Sequence, residues 1–205
     1  MYSQQIWDYL LAKIGNEYGV AGLMGNLQAE SGLIPHRLQG DFSTGYVTSV
    51  QYTRDVDAGI ISKNDFVHNG PNGGGYGLAQ WTFYTRKEAL YNLWKNGLYD
   101  SIGSIDLALD YLWYELVNRY SGVLSVLKNA SSIRQASDKV LHDFERPADQ
   151  SEAVEVKRAS MGQAWYDKYA TGSSSGETPD QPAVVKPKKH SMGLLLMALA
   201  TRRRK

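Results

Sequence analysis

The chain has 205 residues, 42% of them hydrophobic and 21% charged, which suffices for one domain with a sizeable core and an appendage. This balance excludes a wholly disordered chain, a collagen-like repeat and a multi-pass membrane protein, and a net charge of +1 (22 Lys and Arg against 21 Asp and Glu) gives no electrostatic footprint for nucleic acid. With no cysteine there is no disulfide, thiolate nucleophile or Cys-based zinc site, and the four scattered histidines, His36, His68, His142 and His190, form no close metal pair.

The first residues, MYSQQIWDYLLAKIGNEYG, lack a basic n-region, and their apolar positions are periodic rather than continuous. They read as a helix, not a signal peptide. Ile6, Tyr9, Leu10 and Ile14 follow helical spacing, and Gly15-Asn16 predicts the stop. A second helix is predicted from about Val20 to Glu30, ended by Ser31-Gly32-Leu33-Ile34-Pro35. From Pro35 to Thr82 glycine, Ser, Thr and Asn are dense, which predicts a small lobe of loops with one hairpin. Residues 45–52, GYVTSVQY, are its best strand, and 69–75, NGPNGGG, is a loop. Helical patterns resume at Thr85–Asn96, Ser104–Tyr120, Ser132–Glu145 (stopping before Pro147) and Glu152–Tyr169.

The composition then shifts. Residues 1–170 read as the folded domain and 171–190 as a Gly/Ser-rich, then Pro-rich and basic, linker. Residues 191–205 form a short apolar segment with a basic tail. The apolar run Met192–Ala200 is nine residues long, against the roughly 20 a membrane-spanning helix needs. With Arg202-Arg203-Arg204-Lys205 behind it, the tail suits an anionic membrane surface or a partner protein. An idle terminus is the remaining reading.

Two stretches carry chemistry. On the second helix Leu23, Leu27 and Glu30 are spaced i, i+4, i+7, so the carboxyl group shares a face with the leucines. Desolvation there raises a carboxyl pKa, which suits a general acid that protonates a glycosidic oxygen. The plain alternative is a helix-end Glu that reaches water. The second stretch is Gly75-Tyr76-Gly77-Leu78-Ala79-Gln80-Trp81-Thr82. Its glycines allow close backbone approach, its aromatic rings can cover sugar faces, and Gln80 both donates and accepts hydrogen bonds. The plain alternative is a turn whose Trp81 is simply buried.

VAGLMGNLQAESGLIP, GYGLAQWT and DFERPA, in that order, resemble the phage tail-type lysozyme domain over roughly residues 4 to 170. The resemblance implies an α+β, mostly helical, lysozyme-like fold with a small irregular or β lobe inserted early and a peptidoglycan cleft between lobe and body. Glu30 falls on the family's catalytic glutamate, the general acid. Tyr76, Gln80 and Trp81 fall on the substrate-binding segment opposite it, with Gln80 nearest the reacting sugar. Glu145 and Arg146 either line the cleft or brace the helix end as a buried pair, and bracing is favoured. Ala108 stands where the family often has a Gln early in the helix that ends Trp-Tyr-Glu-Leu.

Any second carboxylate is expected in the 36–74 lobe, where Asp41 is the nearest candidate. Asp55-x-Asp57-x-Gly59 faintly resembles a calcium loop, but the twelve-residue pattern fails, so no metal and no cofactor are expected. The function implied is cleavage of the β-1,4 glycan backbone of the bacterial wall by an endolysin or tail-associated lysin. Such a protein is made in the cytoplasm and acts at the wall, released by a holin or carried on a virion. Hydrolysis is favoured, by inversion with a base such as Asp41 or with help from the substrate's N-acetyl group. A lytic transglycosylase giving anhydro products and a catalytically idle wall-binding or tail module are the alternatives.

Overall fold

The computed structural model describes residues 2–40, 48–68 and 74–170. Nine α-helices are described: α1 (Ser3–Ile14), α2 (Glu17–Ser31), α3 (Ser49–Asp57), α4 (Lys63–His68), α5 (Tyr84–Asn96), α6 (Ile105–Asn118), α7 (Ser121–Lys128), α8 (Ile133–Val140) and α9 (Glu152–Tyr169). A single π-helical turn, Leu141–Glu145, extends α8. None of these helices is long and apolar enough to cross a membrane. The linker and tail, residues 171–205, and Asp41 lie outside the described residues.

Helix α2 is the axis of the body. Asn16 caps it by accepting a hydrogen bond from the Gly19 amide, and Gly32, in the left-handed conformation, ends it. Every residue from Gly19 to Leu27 is buried. The apolar spacing predicted one inward face, but α2 is enclosed on all sides, by α1, α7, α8 and α9. Its small residues make this possible. A Cβ on Gly22 would lie 2.6 Å from the Ala136 Cβ on α8, and one on Gly25 would lie 2.3 Å from the Arg158 carbonyl oxygen on α9. Gly25→Ala should therefore force α2 and α9 apart and cost about 3 kcal/mol. Gly122→Ala, where an added Cβ meets nothing within 4 Å, should be neutral or slightly stabilising. Urea unfolding of the two variants checks the contrast.

The helices predicted in the body are present within a few residues, with two differences. Ser132–Glu145 is not one α-helix, because α8 ends at Val140 and the π turn follows. Helix α7 occupies residues that carried no helical prediction.

The early lobe departs further from expectation. Of the stretch predicted as strand over 45–52, residues 45–47 lie outside the described residues, and the rest enters helix α3 at Ser49, with the Thr48 hydroxyl accepting from the Gln51 amide as N-cap. Val, Thr and Tyr favour strands locally, but Ser49, Tyr52, Thr53 and Val56 repeat with helical spacing and all four are buried. Packing therefore overrides propensity. Among the described residues β structure is limited to two isolated antiparallel bridges, Leu38 with Tyr76 and Tyr76 with Trp81. The lobe is docked on the body through Asp57, whose carboxylate accepts from the Ser101 hydroxyl at 2.6 Å and the Ile102 amide at 2.8 Å. Asp55 accepts from Gln51 on its own helix.

Candidate active site

Glu30 occupies the last turn of α2, where the chain is about to leave the core. Its side chain is 19% exposed, and Oε1 lies 2.7 Å from Nη2 of Arg158. Arg158 comes from α9, and its guanidinium also donates to Asn26 Oδ1 at 3.1 Å. Asn26 and Glu30 are four residues apart, hence on one side of α2, and a single planar fork holds both. Asn26 in turn donates to the carbonyl and hydroxyl of Ser137 on α8. Three helices thus fix the position of the Glu30 carboxylate.

The Gly75–Thr82 segment is a tight turn. The Tyr76 and Trp81 backbones pair with each other at 3.1 and 2.9 Å, and Gly77 turns the chain at φ 86°. A Cβ on Gly77 would lie 2.7 Å from the Trp81 ring, so the position excludes larger residues twice over. Gln80 stands at φ 45°, an uncommon conformation for a residue with a side chain. It is half-buried, and Nε2 donates to the carbonyls of Arg37 and Gly77, both at 3.0 Å. These two bonds hold the strained turn and fix the Gln80 amide.

Tyr76 and Trp81 are buried, at 1% and 0% exposure. Neither ring offers a face to a ligand. Of the two sequence readings for Trp81, burial is the one that matches its surroundings. The Tyr76 hydroxyl pairs with Thr53 at 2.7 Å, and burial pushes the phenol well above its usual range. Trp81 Nε1 donates to Glu115 Oε2 at 2.8 Å.

Glu115 is fully buried on α6 and gathers a charged network around it. Arg86 grips both its oxygens, Nε to Oε1 at 2.9 Å and Nη2 to Oε2 at 2.7 Å. The Tyr111 hydroxyl lies 3.2 Å and Arg119 3.5 Å from Oε1. Burial works against the charge of Arg86, but the hydrogen bonds and field of Glu115 more than offset it and hold the guanidinium protonated. The Arg86 guanidinium also lies over the Phe144 ring, 5.1 Å from its centroid. Glu115 thus ties the Gly-Leu-Ala-Gln-Trp turn to α6 directly, through Trp81, and the Phe-Glu-Arg-Pro segment by way of Arg86. Ala108, also on α6, is buried and contributes no polar side chain.

Glu145 and Arg146 do not form the buried pair expected from sequence. Arg146 is exposed, takes φ 51°, and points Nε at the Asp143 carbonyl. Glu145 turns the other way. Its Oε1 is buried with no hydrogen-bond partner. Burial, and next the charge of Glu30, push its carboxyl well above the usual range, against the opposing pull of Arg86 and Arg158.

A residue-level reading of the sequence missed Arg158, Arg86, Glu115 and Asn26. Asn26 carried a usable signal, as a polar residue inside an otherwise apolar helix four residues before Glu30. Glu115 did too, three residues after Leu112 and beside Leu116 on the core side of α6. The two arginines carried none, because long basic side chains are ordinarily placed on the surface.

The mostly helical body, with an accessible carboxylate at the end of its central helix and a glycine-rich turn tied to the interior, is consistent with the lysozyme-like class. Residues 2–169 match the family model described as Phage tail lysozyme, and the chain belongs to that family. No curated protein matches it. Membership assigns the chain to lysis of bacterial peptidoglycan, acting at the cell wall.

Proposed function

We propose that the chain is a glycoside hydrolase that cuts the β-1,4 glycan backbone of peptidoglycan, with Glu30 as the general acid. The observation that carries this reading is the setting of Glu30. It is an accessible carboxyl group at the end of a buried helix, locked by Arg158 at 2.7 Å. A glycosidic bond breaks only if its leaving oxygen is protonated as the C1–O bond opens, and a fixed, reachable carboxyl group supplies that proton.

Gln80 is the polar group facing the sugar. Both protons of its amide are tied to the turn backbone, which leaves Oε1 to accept from a substrate hydroxyl. Tyr76 and Trp81 support this residue from behind and do not stack on the sugar. Asp41 is the base that activates the attacking water, and the reaction inverts the anomeric centre. No metal or cofactor takes part in these steps. The substrate is the glycan strand, and the lysin works free or as part of a phage tail.

Release of new reducing ends from purified peptidoglycan by the full chain tests the reading. Reducing ends should rise in step with clearing of the suspension. Clearing without new reducing ends contradicts a hydrolase.

A further inference from the structure

With Tyr76 and Trp81 buried, Gln80 has no sugar-stacking ring within its own turn. The rings that reach solvent come directly after it. Among the described residues Phe83 and Tyr84 are the most exposed of the Phe, Tyr and Trp side chains, at 72% and 57%. Thr82 and Thr85, exposed as well, flank them. The Thr82 hydroxyl donates to the Gln80 carbonyl at 3.0 Å. Three Cα steps, at most about 11 Å, separate Phe83 from Gln80.

Both rings are exposed yet held in place. The segment lies between two buried residues, Trp81 and Arg86, and both donate to the same Glu115 carboxylate. The Tyr84 ring is also stacked on His68, at the end of α4, with centroids 5.5 Å apart and planes 27° apart. Phe83 is the N-cap of α5, a position where Ser, Thr, Asp or Asn would accept from the first-turn amides. Helix α5 has no side-chain cap and no acidic residue in its first turn. An exposed ring therefore stands where a small polar side chain would stabilise the helix. Local stability forgone in this way is a mark of functional positions.

Resting on the reading of the glycan strand as substrate and Gln80 as its contact, we propose that Phe83 and Tyr84 form a sugar-binding ledge. The two rings cover the apolar faces of the sugar units next to the one that Gln80 holds, and the Thr82 and Thr85 hydroxyls meet the hydroxyl edges. Two rings flanked by hydroxyl groups match a ligand that combines apolar C–H faces with polar edges, which a sugar chain does. The adjacent cations, Arg86 and Lys87, are buried, so the ledge offers no charge to an anionic lipid. Because the segment is already fixed by Glu115 and His68, little freedom is lost on binding.

The test is calorimetry with soluble glycan strands freed of their peptide stems, on the full chain carrying Glu30→Gln so that the strand stays intact. Adding Phe83→Ser should weaken Kd about fivefold, and Phe83→Ser with Tyr84→Ala at least about tenfold. The melting temperature of Phe83→Ser should hold or rise, because serine can cap α5. Leu98→Ser, which removes an equally exposed apolar side chain, should leave Kd unchanged. Unchanged Kd in the double variant overturns the ledge and leaves the substrate reading intact. Weaker binding that comes with a fall in melting temperature, or an equal loss in Leu98→Ser, also overturns the ledge. A parent chain that ignores the stripped strand overturns both the ledge and the glycan reading. Binding does not depend on which group protonates the strand, so the ledge is judged apart from the role of Glu30.

Discussion

Glu30→Gln should lower peptidoglycan lysis at least about a hundredfold while leaving the fold intact. General acid catalysis is typically worth about 10²–10⁴-fold, and an amide has no proton to give at the pH of the reaction. The substitution is mild in every other respect. Glutamine has the length of glutamate, and its Oε1 can still accept from Arg158, which sits 2.7 Å from the native carboxylate. Arg158 is only 9% exposed, but it keeps the amide oxygen and Asn26 as acceptors, so the melting temperature should fall modestly without loss of the fold. Turbidity clearing by matched amounts of the two proteins, with circular dichroism as the check on folding, reads the result. More than about a tenth of wild-type activity in the variant removes Glu30 from the chemistry.

The second large effect is on stability and lies at Glu115. Glu115→Leu removes the acceptor for Trp81 Nε1 and for both prongs of Arg86. It leaves a nearly buried guanidinium and an indole N–H without partners. Breaking a buried ion pair from one side costs about 3–5 kcal/mol, which for a domain of this size lowers Tm by about 10 °C or more. The same logic gives an internal control. Removing Arg86 as well, as Glu115→Leu with Arg86→Met, deletes the orphaned charge and should recover part of the loss, because an apolar pair can replace a buried ionic one. A double variant less stable than the sum of both single changes shows that Arg86 does not depend on Glu115. Denaturant unfolding of the four proteins closes this cycle.

These two residues also mark what could be read in the chain and what could not. The helices of the body were legible because apolar residues recur at 3.6-residue spacing and glycine, proline or Asn marks their ends. Glu30 was legible because it ends such a helix, within a specific pair of motifs. The enclosure of α2 was not, since it depends on Gly22 and Gly25 meeting α8 and α9, more than a hundred residues away. The same holds for Arg158, whose importance follows from the helix it happens to face. In the lobe, strand-favouring residues over 47–53 disguised the helical spacing of Ser49, Tyr52, Thr53 and Val56. The role of Trp81 could not be settled from its type, because an aromatic ring serves a sugar or a core equally well. Its zero exposure and its bond to Glu115 place it in the core. Glu145 was visible as part of a motif, but its separation from Arg146 depends on the backbone reversal between them.

The central claim is that Glu30 protonates a glycosidic oxygen and that water completes the cut. Digestion of purified peptidoglycan in heavy-oxygen water, followed by mass analysis of the released fragments, tests it most directly. Hydrolysis predicts muropeptides with intact peptide stems and one heavy oxygen at each new reducing sugar, and none of these products from Glu30→Gln. Fragments that end in an anhydro sugar without heavy oxygen, or fragments cut within the peptide stems, would contradict it.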